Sequence, residues 1–230
     1  MLKILAIGAH PDDLEFGCGG ILIQEVQKGN HVKMIVCSRG EAGTSGSPDI
    51  REQESRNAAQ LIGAEIEFLD YNGDCHIEYT IQNCFVMAQI IRDHQPDILL
   101  IPTLNENQHP DHWKVAKICR DAARYARYGG LKELRGNTHK ISSIYQYRIT
   151  TNTEKKADIV IDISDVYKKW VEVMECHQTQ IQSKKYIELQ TTHARNLGLE
   201  AGVEYALELF IHDPILLKGV SHISQSARNF

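Results

Sequence analysis

The fold is decided by one stretch near the start of the chain, Ile7-Gly8-Ala9-His10-Pro11-Asp12-Asp13-Leu14-Glu15-Phe16-Gly17-Cys18-Gly19-Gly20. The residues from about Lys3 to Ala9 are almost all apolar, which predicts a strand that is buried on both faces. An imidazole and two adjacent carboxylates follow, and glycines then lead into an apolar helix. Ligands of open parallel α/β sheets bind at the carboxyl ends of the strands. We therefore expect an active site directly after this strand.

A second polar cluster repeats the arrangement. Gln108-His109-Pro110-Asp111-His112 follows an apolar run from Asp97 to Pro102, which also predicts a strand. Both clusters thus have the form of a strand followed by His-Pro-Asp. Because the carboxyl ends of parallel strands share one edge of the sheet, we expect the fold to bring the two clusters together.

Strands and helices alternate over the first 125 residues, which predicts an α/β fold with a mostly parallel, doubly wound sheet between two layers of helices, that is, a three-layer Rossmann-like fold. Asp49 is the expected N-cap of the second helix, with Glu52 completing a capping box. Further strands are expected at His31 to Cys37, Ala64 to Leu69 and Asp97 to Pro102, and helices at Gly17 to Gln27, Ile50 to Ile62, Thr80 to His94 and Asp111 to Tyr125.

The pattern changes after Gly129-Gly130. The remaining strands are expected at Ile141 to Thr150, Ile159 to Ile163 and Tyr205 to Ile211, and helices at Ser164 to Gln178 and Lys185 to Leu197. No repeat or composition break marks a second domain, so residues 1–230 are interpreted as one domain. We expect the last third to complete the sheet and to form a wall of the pocket.

Composition excludes several classes of protein. The net charge of −5 in 230 residues does not indicate a basic surface that would bind nucleic acid or an anionic membrane. No apolar run reaches the roughly 18 to 20 residues that a membrane-spanning helix needs, and no signal peptide is recognised. The six cysteines form no Cys-x-x-Cys pair, which favours reduced thiols in a cytoplasmic protein and argues against a zinc site built from cysteine.

The two clusters contain a set of possible metal ligands. His10, Asp13 and His112 provide two imidazoles and one carboxylate, the ligand number of catalytic zinc sites that keep a fourth position for water. A bound metal would lower the pKa of that water to about 7. Asp12, adjacent to Asp13, could then take the proton of the water as a general base.

The second cluster offers further catalytic groups. His109 lies three residues before His112, so one can bind metal while the other stabilises an oxyanion or protonates a leaving amine. This pattern suits hydrolysis of an amide. Asp111 could orient His109, and the alternative is that Asp111 only caps the helix that begins there.

Other residues of the same types receive structural interpretations. Gly17, Gly19 and Gly20 do not have the spacing of a dinucleotide or phosphate loop, and close packing of helix against strand explains them better. The remaining histidines occur singly and are interpreted as structural or exposed; they are His31, His76, His94, His139, His177, His193, His212 and His222.

The motifs together resemble those of the PIG-L/LmbE-like deacetylases. The matching motifs are Ala-His-Pro-Asp-Asp-x-Glu-x-Gly-x-Gly-Gly at 9–20, Arg-Gly-Glu-Ala-Gly-Thr at 39–44, Arg-x-x-Glu at 51–54 and His-Pro-Asp-His at 109–112. The resemblance implies a metal-dependent enzyme that removes the N-acetyl group from a small conjugate of N-acetylglucosamine. It also implies self-association of the chain.

The resemblance also implies a role for individual residues. His10, Asp13 and His112 would hold one zinc ion, with other divalent metals left open, and Asp12 would be the general base. His109 would stabilise the tetrahedral intermediate, with Asp111 tuning it. Arg51 would bind oxygens of the substrate; the alternative is a solvated helix arginine paired with a glutamate at position 52 or 54.

Two other functions remain in competition at this point. A His-x-Asp pattern followed by a distant His is also compatible with a non-haem Fe(II) oxygenase, although the alternating strands and helices do not fit a jelly roll. The second alternative is a non-catalytic module with a structural metal, but such sites usually have four protein ligands, commonly with cysteine.

Overall fold

The computed structural model describes residues 1–106, 109–149, 156–182, 184–222 and 225–227. Gln108 of the second cluster and Thr150, at the end of a predicted strand, lie outside these ranges. The strands are β1 (Lys3–Gly8), β2 (His31–Val36), β3 (Glu65–Phe68), β4 (Ile98–Pro102), β5 (Ser143–Tyr147), β6 (Ile159–Asp162) and β7 (Ala206–Ile211). The helices are α1 (Asp13–Gln27), α2 (Pro48–Ile62), α3 (Ile81–His94), α4 (Pro110–Tyr125), α5 (Tyr167–Glu175), α6 (Gln178–Ile181) and α7 (Tyr186–Ala201).

The seven strands form one sheet in the order β3-β2-β1-β4-β5-β7-β6. The first five of these are parallel to one another, and β7 runs antiparallel to both β5 and β6. The predicted mostly parallel α/β sheet is therefore confirmed. The last third of the chain supplies β5, β6 and β7, and so completes the sheet as expected.

Helices cover both faces of the sheet. Successive residues of β1 alternate between two apolar cores: Ile4 and Ala6 pack towards α1, α2 and α5, and Leu5 and Ile7 pack towards α3 and α4. The alternation follows from the two-residue period of a strand, whose neighbouring side chains point to opposite faces. A strand buried on both faces needs an apolar residue at each position, which explains the continuous apolar run in the sequence. Within the described residues, no helix combines the length and the apolar character needed to cross a membrane.

The site lies where the strand order reverses. β1 pairs with β2 on one side and with β4 on the other, with Ile4 opposite Ile98 and Ala6 opposite Leu100. From β1 the chain adds β2 and β3 on one side, and it then crosses back to add β4 on the other side of β1. This reversal opens a crevice at the carboxyl ends of β1 and β4. Both His-Pro-Asp clusters begin at this crevice.

Helix α1 begins four residues earlier than the sequence suggested, at Asp13 instead of Gly17. Acidic side chains at Asp13 and Glu15 lie in its first turn, where they interact favourably with the positive end of the helix dipole. The glycines lie inside the helix because neighbouring side chains pack closely on them. A Cβ atom at Gly17 would lie 2.5 Å from the ring of Tyr147, and one at Gly19 would lie 3.0 Å from Trp170. The interpretation of these glycines as packing residues is thus confirmed.

Two other local predictions were wrong. The N-cap of α2 is Ser47, whose hydroxyl accepts a hydrogen bond from the Ile50 N–H, with proline in the first turn; Asp49 is not the cap. Proline suits the first turn because an N–H at that position would have no partner within the helix, so its absence costs nothing. The single helix expected from Ser164 to Gln178 consists of a 3-10 turn, α5 and, after a break at His177, the short α6.

Candidate active site

The carboxylate of Asp13 joins the two clusters. One of its oxygens accepts hydrogen bonds from the backbone N–H groups of Ala9 and His10, at 2.8 and 2.9 Å. The same oxygen lies 3.6 Å from Nδ1 of His10, and the other lies 3.1 Å from Nε2 of His112. All three side chains of His10, Asp13 and His112 are buried. The structure therefore brings together the three residues that the sequence suggested as metal ligands.

Asp12 occupies an unusual backbone position at the start of α1. Its φ of 105° lies in the left-handed region, which non-glycine residues seldom adopt and which costs about 1–3 kcal/mol. The carboxylate of Asp12 lies 3.4 Å from Nη2 of Arg51. Burial raises the pKa of Asp12 and the charge of Asp13 raises it further; His177 and Arg51 lower it, and the result is about 7. A carboxyl group with this pKa can both accept and release a proton near neutral pH.

Arg51 is buried beneath the site. Its guanidinium donates hydrogen bonds to the carbonyl oxygens of Pro11 at 2.9 Å and Gly40 at 3.1 Å, in addition to its contact with Asp12. The alternative of a solvated arginine paired with Glu52 or Glu54 is therefore wrong. Arg51 holds the turn that carries Asp12 against the loop that follows β2. Binding of substrate oxygens by Arg51 stays a prediction.

His109 is the N-cap of α4, and its side chain is 38% exposed at the mouth of the crevice. Its Nδ1 accepts a hydrogen bond from the backbone N–H of Asp111 at 3.3 Å. A neutral imidazole that accepts through Nδ1 carries its proton on Nε2. Burial lowers the pKa of His109, and the charges of His10 and His112 lower it further. His109 is therefore a neutral ring with its proton on Nε2, and this Nε2–H lies 3.8 Å from Sγ of Cys75.

The side chain of Asp111 is directed at His10 and not at His109. Its Oδ2 is 3.1 Å from Nε2 of His10 and accepts a hydrogen bond of 2.7 Å from the backbone N–H of Cys75. The distance to Nδ1 of His109 is 4.0 Å. The alternative that Asp111 is the N-cap is also wrong, because α4 begins one residue before it. The side chain of Asp111 orients His10, and the expectation that it would orient His109 holds only for its backbone N–H.

Asp74 is a site residue that the sequence analysis missed. Its Oδ1 lies 3.0 Å from Nε2 of His10, and its Oδ2 lies 3.9 Å from Arg51. Burial raises the pKa of Asp74, but hydrogen bonds and charges, above all those of His10, bring it down to about 2. Its backbone N–H donates a hydrogen bond to the carboxylate of Glu41, which also accepts one from the backbone N–H of Arg39 and so joins two loops. A carboxylate shortly after the third strand was the available signal for Asp74, since that strand ends at the same edge.

His177 and Glu15 form a second missed pair. Both side chains are completely buried, and Nε2 of His177 lies 3.4 Å from Oε1 of Glu15. Burial lowers the pKa of His177, but the charges of Glu15, Asp12 and Glu54 outweigh it and raise that pKa. Nothing in the local sequence around His177 indicates a place near the site, because the contact joins two distant parts of the chain.

The residues of the crevice fit a divalent cation. Two groups among the described residues have ligand atoms within 4.8 Å of one another: His10, His109 and His112, and His10 with Asp74, His109 and Asp111. Two carboxylates, from Asp74 and Asp111, point at the same ring nitrogen of His10, which has at most one proton to donate. A cation would offset this excess of carboxylates, and Nε2 of His112 and Oδ1 of Asp13, which lie 3.1 Å apart, are placed to bind it together.

The comparisons with known proteins agree with this site. A family model described as PIG-L, GlcNAc-PI de-N-acetylase, matches residues 5–123. The uncharacterized deacetylase YaiS of Escherichia coli is 35% identical over 129 residues, which are 53% of this chain and 68% of that protein. The diacetylchitobiose deacetylase of Thermococcus kodakarensis is 26% identical over 214 residues, 87% of this chain and 78% of that protein.

A solved structure extends the likeness of fold over nearly the whole chain. The 4-carboxy-2-hydroxymuconate hydratase of Pseudomonas putida has a TM-score of 0.86, is 22% identical, and aligns over 96% of this chain and 100% of that chain. Because this identity is low, the likeness concerns the fold alone, and the same fold carries a hydratase as well as deacetylases. The family match and the 35% identical relative decide the membership: the chain belongs to the PIG-L/LmbE-like family.

Proposed function

We propose that this chain is a metal-dependent hydrolase that removes the N-acetyl group from a small N-acetylglucosamine-type sugar conjugate. The observation that carries the proposal is the meeting of His10, Asp13 and His112 beside Asp12, at the point where the strand order reverses. The deacetylase relatives support the reaction type, and the name of the Thermococcus relative supports an N-acetylated sugar as the substrate class.

In this proposal His10, Asp13 and His112 hold one divalent cation, with zinc as the first choice for two imidazoles and a carboxylate. When bound there, the cation would polarise the acetyl carbonyl and make water acidic enough to lose a proton near neutral pH. Asp111 and Asp74 support this arrangement through His10. A carboxylate on one ring nitrogen fixes the orientation of an imidazole and leaves the other nitrogen for the metal.

The chain's own groups move the protons. Asp12 takes a proton from the attacking water as the oxygen bonds to the acetyl carbon. The Nε2–H of His109 donates a hydrogen bond to the carbonyl oxygen as that oxygen becomes negative. Asp12 then returns the proton to the departing nitrogen as the carbon–nitrogen bond breaks, which leaves acetate and a free amine. His109 acts here as a neutral donor, because its lowered pKa does not favour an imidazolium.

The remaining parts of the proposal concern the whole molecule. Residues 1–230 act as one catalytic domain whose C-terminal strands complete the sheet. The six free cysteines support a cytoplasmic location, where thiols stay reduced. The partner is a small amino-sugar conjugate, and self-association of the chain is retained from the family resemblance. Arg51 is the residue proposed to bind oxygens of the substrate, as the family resemblance implies.

The other candidate functions have less support. The mostly parallel sheet does not resemble the jelly roll in which a His/Asp/His iron site would be expected. A purely structural metal would need neither a carboxyl group with a pKa near 7 at Asp12 nor an exposed donor at His109. Hydration of a double bond, the reaction named for the Pseudomonas putida structure, is kept as an outcome of the test.

The deciding experiment measures acetate release from a panel of N-acetylglucosamine conjugates, with metal-free protein and zinc-reloaded protein compared side by side. We expect acetate release only after reloading with zinc. The rates should rank the conjugates by the group that is attached to the sugar. Zinc-loaded protein that releases no acetate from any conjugate would overturn the proposal. Addition of water to 4-carboxy-2-hydroxymuconate by the same sample would then assign the chain to the hydratases.

A further inference from the structure

We propose that the buried pair of His177 and Glu15 is a positioning device for Asp12, through which the last third of the chain controls turnover. This inference rests on the proposed function, in which Asp12 transfers the proton. Both side chains are completely buried, so neither can meet a substrate directly. Glu15 lies in the first turn of α1, three residues after Asp12, and the charge of His177 acts on Asp12. The pair therefore reaches the substrate only through Asp12 and the turn that carries it.

Glu15 and His177 are placed as an ion pair in which neither side chain has another hydrogen-bond partner among the described residues. Among the described residues, neither oxygen of Glu15 and neither ring nitrogen of His177 has a hydrogen-bond partner that meets normal geometry, and the two groups lie 3.4 Å apart. A carboxylate that is buried without donors is costly unless an opposite charge lies beside it. A cationic imidazole at His177 supplies that charge. Retaining such a pair in an apolar interior costs stability, which favours a role beyond stability.

Glu15 is held on two sides by the same part of the chain. The indole Nε1 of Trp170, on α5, donates a 2.8 Å hydrogen bond to the backbone carbonyl of Glu15, and Trp170 also packs on Gly19 of α1. His177, two residues after α5 ends, pairs with the side chain of Glu15. The first turn of α1 is thereby fixed by two contacts from this part of the chain.

The segment that carries His177 is also bonded to α2, the helix that carries Arg51. Thr179 donates hydrogen bonds from its N–H and its hydroxyl to the two carboxylate oxygens of Glu54, at 2.8 and 2.7 Å. Glu54 lies on α2 three residues after Arg51, the residue that bonds to Pro11 and Asp12. The side chain of Gln180 adds a contact of 3.4 Å to the Ser45 carbonyl.

These contacts form a clamp around Asp12. Arg51 bonds to the turn at Pro11 and Asp12, and the Glu15–His177 pair holds the residues that follow it. Thr179 joins these two sets of contacts through Glu54. The left-handed backbone of Asp12 is unfavourable and persists only where surrounding contacts determine it. Loss of the pair would let this turn relax and would move the carboxylate of Asp12, whereas Asp13 keeps its own bonds to Ala9 and His10.

The test uses zinc-loaded protein with His177→Gln and with the double variant Glu15→Gln/His177→Gln. The double variant leaves no unpaired charge in the interior, so it serves if the single variant does not fold. The matched control is Glu65→Gln/His31→Gln, which removes a histidine–glutamate pair of 2.9 Å at the opposite end of the strands.

We expect kcat to fall roughly 10- to 100-fold in the double variant, because a displacement of about 1 Å at a catalytic group has an effect of this size. KM and the affinity for zinc should change less than about threefold, and the control should match the parent. The outcomes that overturn the proposal are an unchanged kcat in the double variant, or a loss of kcat that reloading with zinc abolishes.

A second measurement does not depend on catalysis. Ring-nitrogen NMR of the histidines in zinc-loaded parent protein, with the His177 signal assigned by its absence from His177→Gln, should show both nitrogens of His177 protonated at pH 7. A neutral ring would overturn the ion pair even in a fully active enzyme. If the parent released no acetate at all while His177 were doubly protonated, the proposed function would fail and the pair would stand.

Discussion

Asp111 holds two imidazoles of the site with different atoms. Its side-chain Oδ2 lies 3.1 Å from Nε2 of His10, while its backbone N–H donates to Nδ1 of His109 at 3.3 Å. The first contact leaves Nδ1 of His10 facing Asp13, and the second places the proton of His109 on Nε2, which lies 3.8 Å from Sγ of Cys75. One residue thus sets the orientation of a proposed metal ligand and of a proposed oxyanion donor.

Asp111→Asn should weaken metal binding. The amide cannot match the charge of the carboxylate that orients His10, and changes of this kind typically cost 10- to 100-fold in metal affinity or activity. Competition with a chromophoric chelator measures the affinity. Asp93→Asn, on the outer side of α3, is the control and should bind zinc as the parent does. An unchanged affinity for zinc in Asp111→Asn would contradict the proposed role of this carboxylate in orienting His10.

Asp12→Asn should keep the fold and the metal but lose most turnover. The amide cannot accept the proton of the attacking water, and a positioned general base typically contributes 10²- to 10⁴-fold. Steady-state acetate release gives kcat, and zinc content by mass spectrometry gives the metal occupancy. A fully active Asp12→Asn protein would contradict the assignment of the base.

His109→Gln should lower kcat by about 10²-fold, the usual cost of losing one oxyanion donor, without loss of zinc. The zinc affinity of this variant distinguishes two possible sets of metal ligands, with and without His109, because His109 also lies within ligand distance of His10 and His112. If zinc affinity falls together with kcat, His109 is a ligand and not a donor. His222→Gln, on an exposed turn, is the control.

Gly17→Ala should destabilise the protein through overpacking. The added Cβ would lie 2.5 Å from the ring of Tyr147, whose hydroxyl is held by the Ile7 carbonyl, so the ring cannot move freely. Overpacking of this kind costs about 1–3 kcal/mol of the free energy of unfolding. Urea denaturation of the metal-free protein gives the value. Gly130→Ala, where nothing lies within 4 Å of the new atom, should not destabilise.

The sequence alone predicted the class of fold and the main members of the site. Strand β1 and the alternation of strands and helices are visible because burial on both faces demands continuous apolar runs. His10, Asp13 and His112 could be grouped because their clusters follow strands that end at one edge of the sheet. The family motifs cover this same region, and the family match at residues 5–123 agrees with it.

Only the tertiary structure decided which partners the polar side chains find. Arg51 meets Pro11 across 40 residues, Cys75 meets Asp111 across 36, and Trp170 meets Glu15 across 155. A local pattern records how a side chain faces its own helix or strand, but not which distant segment packs against it. The partner of Asp111, the burial of Arg51 and the clamp of Glu15 and His177 therefore depend on how the layers pack around the sheet.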